Sequence, residues 1–140
     1  MSGDGKLDLL RRVPLFASFK AHDLELVARL ADEIDVPAGK ALTREGDVGH
    51  EFFVIVEGRV RVEREGQVLN TLGPGDFLGE IALVDGGPRT ATAVTESKAR
   101  LLVLAHREFS SLLSQYPSIQ VEVLQALAHR VRHLDRESAT

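Results

Sequence analysis

Gly79-Glu80-Ile81-Ala82-Leu83-Val84-Asp85-Gly86-Gly87-Pro88-Arg89-Thr90 is the stretch whose residue types could do chemistry, and it reads as a helical turn followed by a loop. Amides at the start of a helical turn have no intrahelical partner, and together with the helix dipole they favour an anion. Arg89 offers a planar fork able to grip phosphate oxygens in pairs. Glu80, nine residues earlier, is a carboxylate able to accept a hydrogen bond from a sugar hydroxyl. The same pair also suits an ordinary surface salt bridge worth about 0 to 1 kcal/mol, with the glycines only turning corners.

The flanking sequence sets out the elements that must position this stretch. Lys6 to Arg12 is a short helical candidate stopped by Pro14, which lacks a backbone donor. Leu24, Val27, Leu30, Ala31 and Ile34 recur at three- and four-residue spacing and paint one face of a second helix, from Ala21 to Ile34, ended by Pro37 and Gly39. Between Ala41 and Ala105 the texture changes to short β-branched or aromatic runs broken by glycine. The candidate strands are Ala41 to Arg44, Phe52 to Glu57, Arg59 to Glu65, Gln67 to Leu72, Ala91 to Thr95 and Ala99 to Ala105, with turns at Gly46, Gly58, Gly66, Gly73 and Gly75. So many short strands predict an antiparallel sandwich or jelly roll. Phe109, Leu112, Leu113 and Tyr116 then mark a helix ended by Pro117, and Leu124, Leu127, Ala128, Val131 and Leu134 stripe a last one from Ser118 to Arg136.

Composition narrows the function. The chain has 140 residues, 44% hydrophobic and 27% charged, with 17 Lys and Arg against 21 Asp and Glu for a net charge of −4. That is room for one domain spanning residues 1–140, and the acidic balance argues against a general nucleic-acid surface. The absence of cysteine excludes disulfide scaffolds, thiolate metal sites and cysteine nucleophiles. The longest apolar runs, Phe52 to Val56 and Leu101 to Ala105, are far below the roughly 20 residues of a membrane helix, and Met1 to Arg12 does not read as a secretory signal. A cytoplasmic protein with no membrane partner is the expectation.

Phe77-Leu78-Gly79-Glu80-Ile81-Ala82-Leu83 followed by Pro88-Arg89-Thr90-Ala91-Thr92-Ala93 closely resembles the phosphate-binding cassette of cyclic nucleotide-binding domains. Pro37-Ala38-Gly39, Glu45-Gly46-Asp47, Phe52-Phe53-Val54-Ile55, Gly58-Arg59-Val60 and Gly75-Asp76-Phe77 fall in the order and spacing that family shows, so the resemblance covers nearly the whole chain. It implies a mainly β fold with flanking helices. That is an antiparallel β jelly roll, or double-stranded β-helix, over 36–105, with the cassette at 79–90, N-terminal helices within 6–34 and two C-terminal helices within 106–136. It also implies that Arg89 pairs with the cyclic phosphate and Glu80 accepts from the ribose 2′-hydroxyl, with Ile81 in the cassette and the amides of Gly79, Ala82 and Thr90 as further donors. Val62 and Leu69 would contact the base, and Arg130, His133 and Leu134 of the last helix would cap it. Thr90 beside the phosphate arginine could favour cyclic GMP, but cyclic AMP is the leading expectation, ahead of cyclic GMP and ahead of a module that uses the cassette only to bind protein.

A jelly-roll metalloenzyme is the main rival from another class. His22, His50 and His106 are scattered, no His-x-His pair occurs, and His129 with His133 lacks a third ligand, so no metal or other cofactor is expected. Ser110 and Ser111 have no recognisable histidine and carboxylate partners, so the chain is read as non-catalytic. Ligand capture is expected to draw the last helix over the base from a hinge near Tyr116 and Pro117. The spacing of Leu124, Leu127, Val131 and Leu134 also fits a short coiled-coil seam, hence a homodimer through this helix. The chain stops at Thr140 without room for a DNA-reading motif, so a stand-alone sensor, or a regulatory domain acting on an unknown effector protein or domain, is expected.

Overall fold

The computed structural model describes residues 3–80, 83 and 87–139, the side chains of 3, 4, 130 and 133–139 excepted. Helices α1 (Gly3–Arg11) and α2 (Ala21–Leu30) precede strands β1 (Asp32–Val36), β2 (Ala41–Thr43), β3 (Glu51–Glu57), β4 (Val60–Arg64), β5 (Gln67–Leu72), β6 (Phe77–Leu78), β7 (Thr92–Thr95) and β8 (Ala99–Ala105). Helices α3 (His106–Gln115) and α4 (Pro117–Ala139) follow. The strands form two antiparallel four-stranded sheets, ordered β1-β8-β3-β6 and β2-β7-β4-β5.

The first sheet is covered on both faces, which is why its central strands read as unbroken apolar runs rather than alternating ones. In β3, Phe52 and Val54 pack with the helices while Phe53 and Ile55 face the second sheet. In β8, Leu102 and Leu104 join the helical side and Leu101 the inter-sheet side. Phe16 is the hub of the helical side. Its ring meets Phe19, Phe52 and Phe109 edge-on at centroid distances of 5.3, 6.0 and 5.8 Å. It lies in a run of tight turns after α1, where the Phe16 amide donates to the Val13 carbonyl and Phe19 to Phe16.

Several elements differ from expectation. The second helix ends at Leu30 rather than Ile34, and Ala31 is already extended at φ −77°, ψ 121°. Continuing it would have placed Asp32, Glu33 and Asp35 at the negative end of the helix dipole. As strand β1 these residues pair with β8 instead, and Arg100 sits 3.0 Å from Asp35 and 3.6 Å from Glu33. Lys6 closes the freed helix end by donating to the Ala31 carbonyl at 2.8 Å. The two-residue strand β6 lies in a segment given no strand from sequence. The last helix runs from Pro117 to Ala139, longer at both ends than Ser118 to Arg136.

The apolar stripe of α4 is also divided differently. Ile119 and Val123 are buried, with Ala126 and Leu127 packed beside them, so Leu127 belongs to the core rather than to a free seam. Leu124 and Val131 are exposed at 66% and 56%, on a face they share with Val121 and Ala128. At 3.6 residues per turn the five positions spread over an arc of about 120°, and Leu127 lies at the edge of it that turns towards Ile119 and Val123.

Candidate functional site

Strand β6 pairs with β3 (Phe53 with Leu78, Val54 with Phe77) and so delivers Gly79 and Glu80 to the edge of the first sheet. Glu80 is only 6% exposed, and its Oε2 accepts from the Leu15 amide at 3.4 Å, in the turns beside Phe16. The Leu83 amide closes a tight turn onto the Glu80 carbonyl at 3.2 Å, and the Leu83 side chain is wholly buried among the helix-side residues. The Leu83 carbonyl in turn accepts from His106 Nδ1 at 2.7 Å. The carboxylate is thus held by the helical layer.

Arg89 is held by backbone. Its amide donates to the Asp47 carbonyl at 2.7 Å, its carbonyl accepts from the Gly46 amide at 2.9 Å, and the Gly49 amide donates to the Gly87 carbonyl at 3.0 Å. Val48 and Pro88 form a bridge between the same two loops. The guanidinium Nη2 donates to the Glu51 carbonyl. The side chain runs through a slot between two glycines. A Cβ at Gly49 would stand 2.6 Å from Arg89 Cζ, and one at Gly79, where φ is +83°, would stand 2.9 Å from the Glu51 carbonyl oxygen. Burial pushes the Arg89 pKa down, and the Glu51 carboxylate pushes it back up. A half-desolvated guanidinium fixed this way has a stronger pull on an anion than a mobile one on the surface.

The cleft onto which Arg89 opens measures about 210 Å³ and is lined also by Thr43, Arg44, Asp47, His50 and Glu51. Thr90 is exposed, and its carbonyl accepts from Arg64 Nε at 2.9 Å. Val62 is half-buried and opposite Asn70 on β5 and Ala93 on β7. Leu69 is not its cross-strand partner. It falls where the β4–β5 register shifts and is 51% exposed. Ile81 and Ala82 lie outside the described residues. Arg130, His133 and Leu134 are all within α4, with side chains outside the described set.

Sequence reasoning had passed over Leu15, Gly49, Glu51 and His106. The first three make their contacts across 38 to 65 positions of sequence, with no local pattern to announce them. His106 opens a helix directly after a strand, but a single histidine there carries no periodic signal. Among the described residues no group of three His, Asp or Glu side chains could hold a metal ion. No helix among them is long and apolar enough to cross a membrane.

The two-sheet roll with its flanking helices is the fold of cyclic nucleotide-binding domains, and the chain belongs to that family, whose model matches residues 33–116. Among its relatives is the CRP-like cAMP-activated global transcriptional regulator of Mycobacterium tuberculosis, 26% identical over 94% of this chain, which spans 61% of that regulator's length. The N-terminal domain of a Streptomyces coelicolor transcriptional regulator superposes with a TM-score of 0.84 at 33% identity, over 93% of this chain and 94% of that one. The regulatory domain of Toxoplasma gondii PKA, crystallised with cAMP, gives 0.73 at 31% identity, over 79% and 44%.

Proposed function

We propose that this domain is a cytoplasmic, non-catalytic sensor of 3′,5′-cyclic AMP in which Arg89 takes the cyclic phosphate and Glu80 the ribose 2′-hydroxyl. The observation that carries this reading is the glycine slot, which fixes the Arg89 guanidinium beside Gly79, the residue before Glu80, and at the edge of a cleft. Thr90, exposed next to Arg89, supports cyclic GMP as the second reading. At about 0.3 kcal/mol per atom, roughly 22 ligand atoms give near −7 kcal/mol, or a Kd of about 10 µM.

Output passes through α4. Tyr116 is extended at φ −127°, ψ 91°, which separates α3 from α4 and supplies a hinge. An effector protein or domain would read the position of α4, and the exposed Val121, Leu124, Ala128 and Val131 support pairing with the same helix of a second copy.

Calorimetric titration with cyclic AMP and cyclic GMP tests the reading, on the wild type and on Arg89→Ala. Micromolar binding is expected in the wild type, with a loss of about 2 to 5 kcal/mol in the variant because a phosphate is left without its countercharge. Equal affinity in the two proteins would sink the site. Amide exchange across Leu124 to Leu134 should slow on binding, and exchange that is identical with and without ligand removes the lid. Light scattering on the same samples that gives a monomer mass removes the dimer.

A further inference from the structure

His106 holds both sides of the candidate phosphate site at once. Its ring Nδ1 lies 2.7 Å from the Leu83 carbonyl, at the end of the turn that starts at Glu80. Its backbone amide donates to the His50 carbonyl at 2.7 Å, one residue before the Glu51 carbonyl that anchors the Arg89 guanidinium. A carbonyl oxygen can only accept, so Nδ1 carries the proton and the tautomer is fixed. Nε2 then faces outward, 3.5 Å from the Ser110 hydroxyl one turn along the helix.

Position along the chain makes this contact consequential. His106 is the first residue of α3, and Ala105 before it supplies no side-chain cap. The Ala105–Glu51 pair is the last rung of the β3–β8 ladder, and the His106 amide extends that ladder by one bond. The ring therefore links the rigid end of the first sheet and the start of α3 to the one described cassette residue between Glu80 and Gly87.

We propose that His106 is a positioning residue for the nucleotide pocket: its Nδ1–H fixes the Leu83 carbonyl, keeps the Glu80 turn wound against the Arg89 anchor, and ties cassette movement to α3. This rests on the nucleotide-binding reading above. His106 touches no ligand in this role. It acts through Leu83 and Glu80 on one side and through the His50–Glu51 backbone on the other.

Two substitutions separate the hydrogen bond from the space the ring fills. His106→Asn places an amide N–H close to the Nδ1 position, whereas His106→Leu fills similar volume with no donor. Titrated with cyclic AMP, the Asn protein should bind within about threefold of wild type. The Leu protein should bind about three- to tenfold more weakly, the share of one neutral hydrogen bond. Wild-type affinity in His106→Leu, or an equal loss in both variants, would overturn the proposal. If the wild-type protein binds neither nucleotide, the binding reading fails on its own. The tether is then judged without ligand, by amide exchange in the three proteins. Faster exchange across Gly79 to Arg89 in His106→Leu alone upholds it, and unchanged exchange there overturns it.

Discussion

Glu80 and Arg89 are the two charged residues proposed to hold the nucleotide, yet they are held by different parts of the molecule. Glu80 is buried, accepts from the Leu15 amide and sits on a turn whose Leu83 is packed among the helices. Arg89 takes its backbone and guanidinium hydrogen bonds from loops and a strand end of the roll. It is registered by amides and carbonyls of Gly46, Asp47 and Gly49 and aimed by the Glu51 carbonyl. The carboxylate thus answers to helix packing, and the guanidinium to the backbone of the roll. A ligand that bridges the two would draw one layer towards the other, which is how a binding event becomes a displacement.

The strongest way to break this comparison is Phe16→Ala. Losing a ring shared by Phe19, Phe52 and Phe109 should cost about 3 to 5 kcal/mol in chemical denaturation. Nucleotide affinity should fall as well, because the Leu15 amide beside it loses its support. A denaturation midpoint equal to wild type would show that the helical layer is held by something else.

The two glycines of the slot sharpen the contrast. Gly79→Ala forces a side chain onto a left-handed backbone and against a carbonyl, so stability should drop by at least about 1 to 2 kcal/mol along with affinity. At Gly49 the backbone is not left-handed and the three atoms nearest an added Cβ all belong to the Arg89 side chain. Gly49→Ala should therefore weaken nucleotide binding by about tenfold, roughly 1.4 kcal/mol, while the melting temperature hardly changes. Matching losses of stability in the two variants would mean that Arg89 is braced by more than its slot.

The smallest effect concerns the seat of α4. Glu122 is 9% exposed, its Oε1 accepts from the Lys20 amide at 3.4 Å, and its Oε2 lacks a partner among the described residues. Burial pushes its pKa up, the Asp23 carboxyl beside it pushes the same way, and the Lys20 amide pulls it down. The folded state therefore holds this proton more tightly than the unfolded chain. That contribution is fully present below the ordinary value near 4.5 and is lost as pH rises through the higher folded value. Glu122→Gln should raise the melting temperature by a few degrees at neutral pH and flatten its fall between acid and neutral pH. An unchanged pH slope in the variant would clear Glu122.

What could be read from sequence follows the range of the forces involved. Strands such as Phe52 to Glu57, closed by Gly58, and the apolar run Ala99 to Ala105 were legible because turns and burial are local signals. Strand β1 was not, because Asp32-Glu33-Ile34-Asp35-Val36 continues the spacing of α2 and gains its ladder only from β8, far along the chain. In the candidate site, Glu80 and Arg89 stood out by residue type and interval. Their supports at Leu15, Gly49, Glu51 and His106 come from distant segments and consist mostly of backbone atoms, which residue identity does not encode. Leu69 is exposed together with every β5 residue from Gln67 to Thr71, on the edge strand of the second sheet, which no alternation of Val68, Leu69 and Asn70 could display.

The hub at Phe16 bears on how the protein is made. Phe16 waits for Phe52 and then for Phe109, so a ribosome releasing the chain from its amino end exposes α1, α2 and β3 with apolar faces uncovered until α3 emerges. Contacts this distant in sequence close late and leave the nascent chain prone to aggregation. Stalled chains ending before Phe109 should therefore hold on to a general chaperone, and chains with α3 clear of the ribosome should let it go, because the last side of the ring's pocket has then arrived.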